Sequence, residues 1–229
     1  MIIAIIPARK GSKRIKNKNI KIFYNKPIIY YSIKTAINSK IFDKVFVSTD
    51  CSKIANISRK YGAEVPFLRD EKLSDDYTVT SEVIKNFYKK IKNSYKNIKF
   101  ICCIYPANPL LSKSNLIKAS KILLKNNYDY VFSATKYQHP IQRAFYKTNK
   151  KIFMYYPNYS KVRTQDIRES YHDAGQFYFG KVNSWLKNKK IFSNNSEFIE
   201  IARNQCCDID NSEDWNFAKI LFKNKGLNV

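Results

Sequence analysis

Glycine is scarce in this chain. Its 229 residues include only five glycines, at positions 11, 62, 175, 180 and 226. A Walker A loop requires the spacing G-x-x-x-x-G-K-[ST], and a dinucleotide fingerprint requires G-x-G-x-x-G. Because the five glycines form neither pattern, the sequence excludes the two commonest phosphate-binding loops.

Cysteine patterns typical of disulfide frameworks and zinc sites are also missing. Five cysteines occur, with two adjacent pairs and no C-x-x-C spacing: Cys51, Cys102, Cys103, Cys206 and Cys207. An odd count without these spacings indicates a reducing compartment. No apolar stretch approaches the roughly 20 residues that a membrane-spanning helix needs, and no signal peptide precedes the first apolar segment. We therefore expect a cytoplasmic protein with no membrane partner.

Acidic residues are few. The chain has 18 Asp plus Glu against 42 Lys plus Arg, a formal net charge of +24. Such a balance ordinarily favours a nucleic-acid or anionic-membrane partner. Here the excess is spread from Lys10 to Lys225, and Lys, Asn, Ile and Tyr are abundant together, as an AT-rich coding sequence would produce. We interpret most of the charge as compositional background, with nucleic-acid binding as the less favoured alternative.

The first nineteen residues carry the strongest local pattern. An apolar run from Ile2 to Ile6 is typical of a buried parallel strand, and Pro7 ends it. The next segment, 9–18, contains six Lys or Arg residues and Gly11. Ligands of open α/β sheets bind beyond the carboxyl ends of the strands, where such a loop would meet an anion. A solvated basic loop is the alternative, but the position directly after the first strand favours phosphate binding.

The remaining chain alternates between predicted strands and helices. Helical periodicity covers about 27–39, 52–60, 78–92 and 114–125, and β-rich runs cover about 44–49, 64–66, 98–105 and 129–134. This alternation predicts a doubly wound, mostly parallel α/β sheet flanked by helices. The length favours one domain over residues 1–229. Periodicity fails between about 136 and 170, which we interpret as an inserted segment.

Several segments together resemble one enzyme family. The run Ile-Pro-Ala-Arg-x-Gly-Ser-Lys-Arg-x-x-x-Lys-Asn at 6–19 is similar to the signature loop of the cytidylyltransferases that activate nonulosonic acids. The similarity continues, in order, through 47–50, 61–66, 68–69, 171–178 and 208–215. Segments 102–105, 140–143 and 172–176 most resemble the pseudaminic acid branch. The resemblance therefore covers nearly the whole chain.

This resemblance implies a Rossmann-like nucleotidyltransferase fold and a specific reaction. CMP would pass from CTP to the C2 hydroxyl of an acidic nine-carbon sugar, with release of pyrophosphate. Segment 136–170 would pack on a second subunit, giving a homodimer, and would lend residues to the neighbouring cleft; a mobile surface insertion is the alternative. Legionaminic or sialic acid remain alternative sugars, and a non-catalytic nucleotide or nucleic-acid binder remains an alternative function.

The resemblance also assigns site residues. The nucleotide would be bound by Ala8, Arg9, Gly11, Ser12, Lys13, Lys18, Asn19, Arg69, Pro106 and Asn108. For Arg69, a surface salt bridge with Asp70 or Asp75 is the alternative. The sugar would be bound by Tyr105, Gln142, Arg143, His172 and Gln176. Catalysis would rest on Arg9, Lys13 and Asp210, while we expect Lys10, Arg14 and Lys16 to be solvated. No side chain stands out as a general base.

A pair of alternating carboxylates predicts a metal site. In an extended segment the period of two places Asp208 and Asp210 on one face. Mg²⁺ takes one or two carboxylates together with substrate phosphates, and the resemblance matches these two residues to the family's metal site. The alternative is helix capping, which we assign instead to Ser212 as N-cap with Glu213 and Asp214. The related Kdo enzymes carry an additional Asp after the strand at 98–105, and this chain does not.

Overall fold

The computed structural model describes residues 1–224. Its strands are β1 (Ile2–Pro7), β2 (Ile22–Phe23), β3 (Lys26–Pro27), β4 (Lys44–Ser48), β5 (Phe100–Ile104), β6 (Tyr130–Lys136), β7 (Phe145–Thr148), β8 (Lys151–Met154), β9 (Tyr171–Lys181) and β10 (Ser196–Glu200). Its α-helices are α1 (Ile29–Ser39), α2 (Ser52–Lys60), α3 (Thr80–Ile91), α4 (Lys113–Lys125), α5 (Val182–Leu186) and α6 (Ser212–Asn224). None of the helices in this part of the chain is long and apolar enough to cross a membrane.

Six strands form the central sheet in the order β10-β6-β9-β5-β1-β4. β1 pairs in parallel with β4 and β5, and β10 pairs in parallel with β6. β9 runs antiparallel to both of its neighbours, β5 and β6. The predicted doubly wound, mostly parallel α/β sheet is therefore confirmed, with one antiparallel strand at its centre.

Helices cover both faces of this sheet, and β1 shows why its sequence is apolar throughout. Ala4 and Ile6 pack in the cluster that contains α1, α2 and α4. Ile3 and Ile5 pack in the opposite cluster, with α3 and α5. All four side chains are fully buried. A strand buried on both faces needs a continuous apolar run rather than alternation.

Most element boundaries agree with the sequence. The helix predicted at 52–60 is α2, and Gly62, with φ of +96°, follows its end in a conformation that favours glycine. The strand predicted at 64–66 is wrong in extent, because only Glu64 pairs there, in a single bridge with Phe46. The helix predicted from Pro27 begins at Ile29, since Pro27 belongs to the small β2–β3 hairpin.

The start of α6 corrects the predicted cap. Asn211, not Ser212, is the capping residue, because its Oδ1 accepts the amides of Glu213 at 2.8 Å and Asp214 at 3.0 Å. Asp214 returns the interaction, its Oδ2 accepting the amides of Asp210 at 2.9 Å and Asn211 at 3.0 Å. Ser212 is already the first helical residue. This reciprocal capping fixes the backbone at Asp210.

Segment 136–170 has little regular structure. It contains the β7–β8 hairpin and three short 3-10 turns, and most of its residues are exposed. The hairpin presents large apolar side chains to solvent, among them Phe145 at 63% and Ile152 at 64% exposure. A short strand, β7, is therefore present in a segment where the sequence shows no periodicity.

A buried carboxylate ties β6, α5 and β10 together. Asp129 accepts hydrogen bonds from Ser184 Oγ at 2.7 Å, Lys189 Nζ at 2.7 Å and Asn195 Nδ2 at 2.9 Å. Burial raises the pKa of Asp129, but the hydrogen bonds from Lys189, Ser184 and Asn195 outweigh it and lower the pKa to about 2. The ionised form is thus the one that the fold stabilises.

We expect Asp129→Ala to lower the free energy of unfolding by about 2–4 kcal/mol, because three hydrogen-bond donors, one of them the charged Lys189, lose their acceptor. Because the folded pKa of Asp129 lies below its unfolded value, its contribution is complete above about pH 4 and is lost as the pH falls toward 2. Urea unfolding of the wild-type protein and of Asp129→Ala, at pH 7 and at pH 3, measures this contribution and its pH dependence. A difference between the two proteins that is the same at both pH values would contradict the role of the charge.

Candidate active site

A cleft of about 590 Å³ opens at the carboxyl edge of the sheet. The end of β1 at Pro7 and the residues after β5, Tyr105 and Pro106, form its floor. Loop 9–19 and segment 69–80 form its walls, and Asp210 closes one side. Ligands of parallel sheets bind at this edge, so the cleft lies where the sequence placed it.

Loop 9–19 is held by its own polar groups. Asn19, only 4% exposed, donates its Nδ2 to the carbonyl of Arg9 at 2.9 Å. The amide of Lys10 donates to Asp50 Oδ1 at 2.9 Å, and the amide of Ser12 donates to the carbonyl of Lys10 at 2.8 Å. Gly11 does not have a positive φ, and a Cβ there would meet nothing within 4 Å. The backbone conformation of the loop therefore does not require glycine at this position.

Two loop cations face an acidic turn. Arg9 Nη1 lies 2.7 Å from Asp76 Oδ1 and donates to the carbonyl of Asp75 at 2.5 Å. Lys13 also pairs with Asp76. Hydrogen bonds from Lys13 and Arg9 lower the pKa of Asp76. In the protein without ligands, Asp76 thus pairs with Arg9 and Lys13, the two cations that were assigned to the triphosphate.

Arg69 is the most informative side chain in the cleft. It is 7% exposed, and its Nε donates to Ser74 Oγ at 3.1 Å. Its Nη2 is buried and has no hydrogen-bond partner within residues 1–224. Desolvation lowers the pKa of Arg69, with Asp50 opposing and Arg9 adding to the effect. The alternative of a surface salt bridge is wrong, because Asp70 pairs with Lys90 instead and Arg69 is buried.

The acidic segment after β10 meets loop 9–19 directly. Lys18 Nζ donates to the carbonyl of Ile209 at 2.6 Å and lies 3.5 Å from Asp210 Oδ1. Arg14 Nη1 lies 2.9 Å from Asp210 Oδ2. Arg14 therefore lines the cleft, while its side chain is 68% exposed, as the expectation of a solvated residue requires. The two segments, about 190 residues apart in sequence, form one charged cluster.

Asp208 and Asp210 suit a hard cation with few protein ligands. Ile209 between them is 1% exposed, while both carboxylates lie on the outer side of the segment. Within residues 1–224 the Asp208 carboxylate accepts no hydrogen bond. Desolvation raises its pKa, as do Asp210, Asp214 and Asp173. No group of three or more His, Cys, Asp or Glu in this part of the chain forms a metal cluster. Mg²⁺ is commonly coordinated by one or two carboxylates together with substrate phosphates, so this pair is sufficient.

A second tyrosine packs behind the cleft residue Tyr105. Thr80 Oγ1 lies 3.5 Å from the Tyr105 hydroxyl, and both residues line the cleft. The rings of Tyr105 and Tyr178 pack edge to face, with their centroids 5.5 Å apart. Tyr178 in turn donates to Asp173 Oδ2. Asp173 itself does not line the cleft.

Three residues assigned to the nucleotide do not line the cleft. Ala8 is fully buried, and its amide donates to the carbonyl of Ser48 at 2.8 Å, which extends the sheet. Asn108 is 5% exposed. Gly11 lines a shallower groove beside the cleft, with Lys10 and Asp50. The seven other assigned residues line it: Arg9, Ser12, Lys13, Lys18, Asn19, Arg69 and Pro106.

The residues assigned to the sugar are more dispersed. Of the five, Tyr105 lines the cleft. His172 lines a separate pocket of about 390 Å³, with His139 and Arg203. Gln176 is 1% exposed; its Nε2 donates to the carbonyl of Gln205 at 2.6 Å, and its Oε1 has no partner within the described residues.

Gln142 and Arg143 lie in the inserted segment, outside the cleft of the same chain. Arg143 is exposed and donates to the carbonyl of Val162. Gln142 Oε1 is buried without a partner in residues 1–224.

Sequence reasoning missed Arg14, Thr80 and Asp76 as cleft residues. The adjacent acids Asp75 and Asp76, in a chain with so few acids, were the available signal. Nothing in the sequence separated Arg14 from Lys10 and Lys16 beside it.

Comparison with known proteins identifies the family. Residues 3–221 match the family model described as Cytidylyltransferase. The chain is 44% identical over 222 residues, 96% of each chain, to a protein of Campylobacter jejuni named Pseudaminic acid cytidylyltransferase. It is 30% identical to the N-acylneuraminate cytidylyltransferase of Escherichia coli, over 98% of this chain and 52% of that protein.

A solved structure shows the same fold. It is described as CMP:2-keto-3-deoxy-manno-octonic acid synthetase complexed with CTP, and it superposes with a TM-score of 0.73 over 98% of this chain and 99% of that one, at 11% identity. At this identity the likeness concerns the fold alone. With a family model spanning nearly its whole length, a cationic loop at the sheet edge and an acidic segment facing it, the chain belongs to the cytidylyltransferase family.

Proposed function

We propose that this protein transfers CMP from CTP to the C2 hydroxyl of pseudaminic acid and releases pyrophosphate. The observation that carries the proposal is the 44% identity, over 96% of both chains, to a protein named for that activity. The lower identity of 30% to an N-acylneuraminate enzyme makes sialic acid the less favoured sugar. The cleft and the acidic segment beside it would offer a group to read the base, cations for the phosphates and two carboxylates for a metal.

Arg69 would read the cytosine. Arg69 lines the cleft and its Nη2 is buried without a partner, so a carbonyl oxygen of the base would relieve the cost of burying an unsatisfied donor. Ser74 fixes the orientation of the guanidinium through Nε. A planar group held in this way recognises a planar ring edge.

Arg9 and Lys13 would bind the triphosphate. They now pair with Asp76, whose carboxylate is an exposed competitor that phosphates can displace. In the transition state these cations would stabilise charge on the α-phosphate and the departing pyrophosphate. Ser12 and Lys18 line the same space.

Asp208 and Asp210 would hold Mg²⁺ between the acidic segment and the phosphates. Asp210 would exchange its partners Arg14 and Lys18 for the metal, leaving both cations free for phosphate oxygens. When bound, Mg²⁺ polarises the phosphate and lowers the pKa of the attacking hydroxyl.

The inserted segment would form a homodimer that completes the sugar site. Phe145 and Ile152 lie on one face of the β7–β8 hairpin, paired through the register Phe145 with Met154 and Lys147 with Ile152. An exposed apolar face of this kind marks an interface. Gln142 and Arg143, which do not reach the cleft of their own chain, would then bind the sugar in the partner's cleft. The protein would act in the cytoplasm.

Pyrophosphate release tests the activity. The purified protein is incubated with CTP and Mg²⁺ and with pseudaminic, legionaminic, sialic or Kdo acid, and product masses are recorded. We expect turnover with pseudaminic acid, at a kcat/KM at least tenfold above that with the other acids. Equal or higher kcat/KM for another acid would reassign the sugar, and no turnover with any acid in a folded protein would contradict the enzyme function.

Asp210→Ala should reduce kcat at least about 100-fold while leaving the fold intact, because the phosphates lose an electrostatic partner in the transition state. Glu213→Ala removes an exposed acid three residues away and serves as the control. Circular dichroism checks the fold of both variants. Near-normal turnover of Asp210→Ala would remove the metal assignment.

Arg69→Met should weaken CTP binding about tenfold or more without destabilising the free protein, because the methionine removes an unsatisfied buried donor. Calorimetric titration with CTP and thermal unfolding measure the two effects. Arg59→Met is the matched control, since Arg59 donates to the carbonyl of Val65 at 2.7 Å outside the cleft. It should lower stability and leave CTP binding unchanged. The base assignment fails if Arg69→Met binds CTP normally.

Ile152→Asp should convert the dimer to a monomer with reduced sugar turnover, because a charge on the apolar face opposes association. Lys150→Asp at the hairpin turn is the control. Light scattering gives the oligomeric state.

Mixing Asp210→Ala with Arg143→Ala should restore about a quarter of wild-type activity if the sites are shared, because half of the dimers carry one intact site. Unchanged mass of Ile152→Asp, or no restoration on mixing, would contradict this arrangement.

A further inference from the structure

We propose that Asp214 is a positioning residue for the carboxylate pair Asp208 and Asp210. Its side chain holds the backbone of Asp210 and so raises the affinity of the pair for a divalent cation. This inference rests on the proposed function, which assigns Mg²⁺ to the two carboxylates. Asp214 itself would not touch the cation.

The Asp214 carboxylate accepts two consecutive backbone amides. Its Oδ2 lies 2.9 Å from the amide nitrogen of Asp210 and 3.0 Å from that of Asn211. Both residues lie between β10 and α6, outside regular secondary structure. No strand ladder or helix therefore fixes this stretch of backbone, and Asp214 supplies the acceptor that its amides need.

Helix capping explains only one of these two bonds. In a capping box, the side chain of the third helical residue reaches back to the amide of the N-cap residue. With Asn211 as N-cap, Asp214 is that third residue, and its bond to the Asn211 amide is the ordinary one. The bond to the amide of Asp210, one residue earlier, is not needed to cap the helix. It holds the backbone of a carboxylate that the proposed function gives to the metal.

Two further contacts hold the centre of the acidic segment. Lys18 Nζ donates to the carbonyl of Ile209 at 2.6 Å. The Ile209 side chain is 1% exposed and packs in one apolar cluster with Trp215 of α6. Asp214 adds the contact on the Asp210 side. The backbone between the two carboxylates is therefore fixed at a carbonyl, at a side chain and at an amide.

A fixed backbone matters for a cation with so few protein ligands. Mg²⁺ demands near-ideal octahedral geometry, and this pair would supply only part of its ligands. Asp208 and Asp210 share one face only while the segment between them stays extended. A rotation of the peptide unit before Asp210 would turn its carboxylate away from that of Asp208. Partners that hold metal ligands in place typically contribute about 10–100-fold to metal affinity.

Three substitutions separate position from charge and from helix stability. Asp214→Ala removes both bonds. Asp214→Asn removes the charge but keeps one oxygen, and a single oxygen, Oδ2, accepts both amides in the wild-type protein. Asn211→Ala removes the acceptor of the Glu213 and Asp214 amides, so it weakens the same helix start without removing the acceptor of the Asp210 amide.

Mn²⁺ is the probe, because it suits the same oxygen ligands as Mg²⁺ and is paramagnetic. Each protein is titrated with Mn²⁺ in the absence of CTP, and the relaxation rate of water protons gives the dissociation constant. Asp214→Ala should bind Mn²⁺ at least about tenfold more weakly than the wild-type protein. Asp214→Asn and Asn211→Ala should stay within about threefold of the wild-type affinity, because the Asp210 amide keeps its acceptor. Asp210→Ala is the reference for loss of the site.

Asp214→Glu tests position in a variant that keeps the helix cap. It retains the charge and the bond to the N-cap amide that a capping box uses, but its longer side chain moves the carboxylate away from the amide of Asp210. It should therefore bind Mn²⁺ more weakly than Asp214→Asn. Thermal unfolding confirms that each variant is folded.

Wild-type Mn²⁺ affinity in Asp214→Ala or in Asp214→Glu overturns the proposal. Asp214→Asn binding as weakly as Asp214→Ala also overturns it, since charge or direct coordination would then be the cause. An equal loss in Asn211→Ala would trace the effect to helix stability instead of position. A wild-type protein that binds Mn²⁺ no better than Asp210→Ala removes the site and the proposal together.

The titration uses neither CTP nor sugar, so its outcome is independent of turnover. If wild-type protein transfers CMP and Asp214→Ala keeps its Mn²⁺ affinity, only this inference fails. If wild-type protein transfers no CMP to any acid, the proposed function fails on that result alone. Where CMP is transferred, the Mg²⁺ concentration that gives the half-maximal rate should rise in Asp214→Ala by a factor similar to that of the Mn²⁺ dissociation constant.

Discussion

The pairing of opposite charges across the cleft is the interaction on which the site depends. Arg9 and Lys13 are held by Asp76, and Arg14 and Lys18 by Asp210. Exposed ion pairs of this kind contribute at most about 1 kcal/mol each to stability. An anionic ligand and its bound cation can therefore replace the paired side chains at little cost in free energy. The cations of the cleft are thus held by ion pairs that, under the proposed function, a nucleoside triphosphate would displace.

The sheet decides where these charges meet. Parallel pairing of β1 with β5 brings loop 9–19 and Tyr105 to one edge. β9 runs antiparallel beside β5 and pairs Cys103 with Tyr178. The ring of Tyr178 packs against that of the cleft residue Tyr105. A parallel strand in the same position would present its carboxyl end instead and would carry Asp173 to the opposite edge. The single antiparallel strand therefore packs Tyr178, which donates to the exposed Asp173, against the cleft residue Tyr105.

Much of the fold followed from local pattern. The limits of α2 and the double burial of β1 were predicted because periodicity and apolar runs are strong local signals. The cap of α6 was assigned to Ser212 instead of Asn211, since both residue types cap helices equally well. The roles of Gln142 and Arg143 stay predictions, because they depend on a second subunit.

The sequence by itself determined the family, the parallel sheet and a cationic loop at its edge, since each depends on residues close together in the chain. Only the tertiary structure decided that Arg14 faces Asp210, that Arg69 keeps a buried donor without a partner, and that a bulge in β9 turns Asp173 toward Tyr178. These contacts join residues distant in sequence or depend on a change of strand register. Neither composition nor periodicity predicts a change of strand register, because the change arises only when strands pair and the side chains between them compete for space.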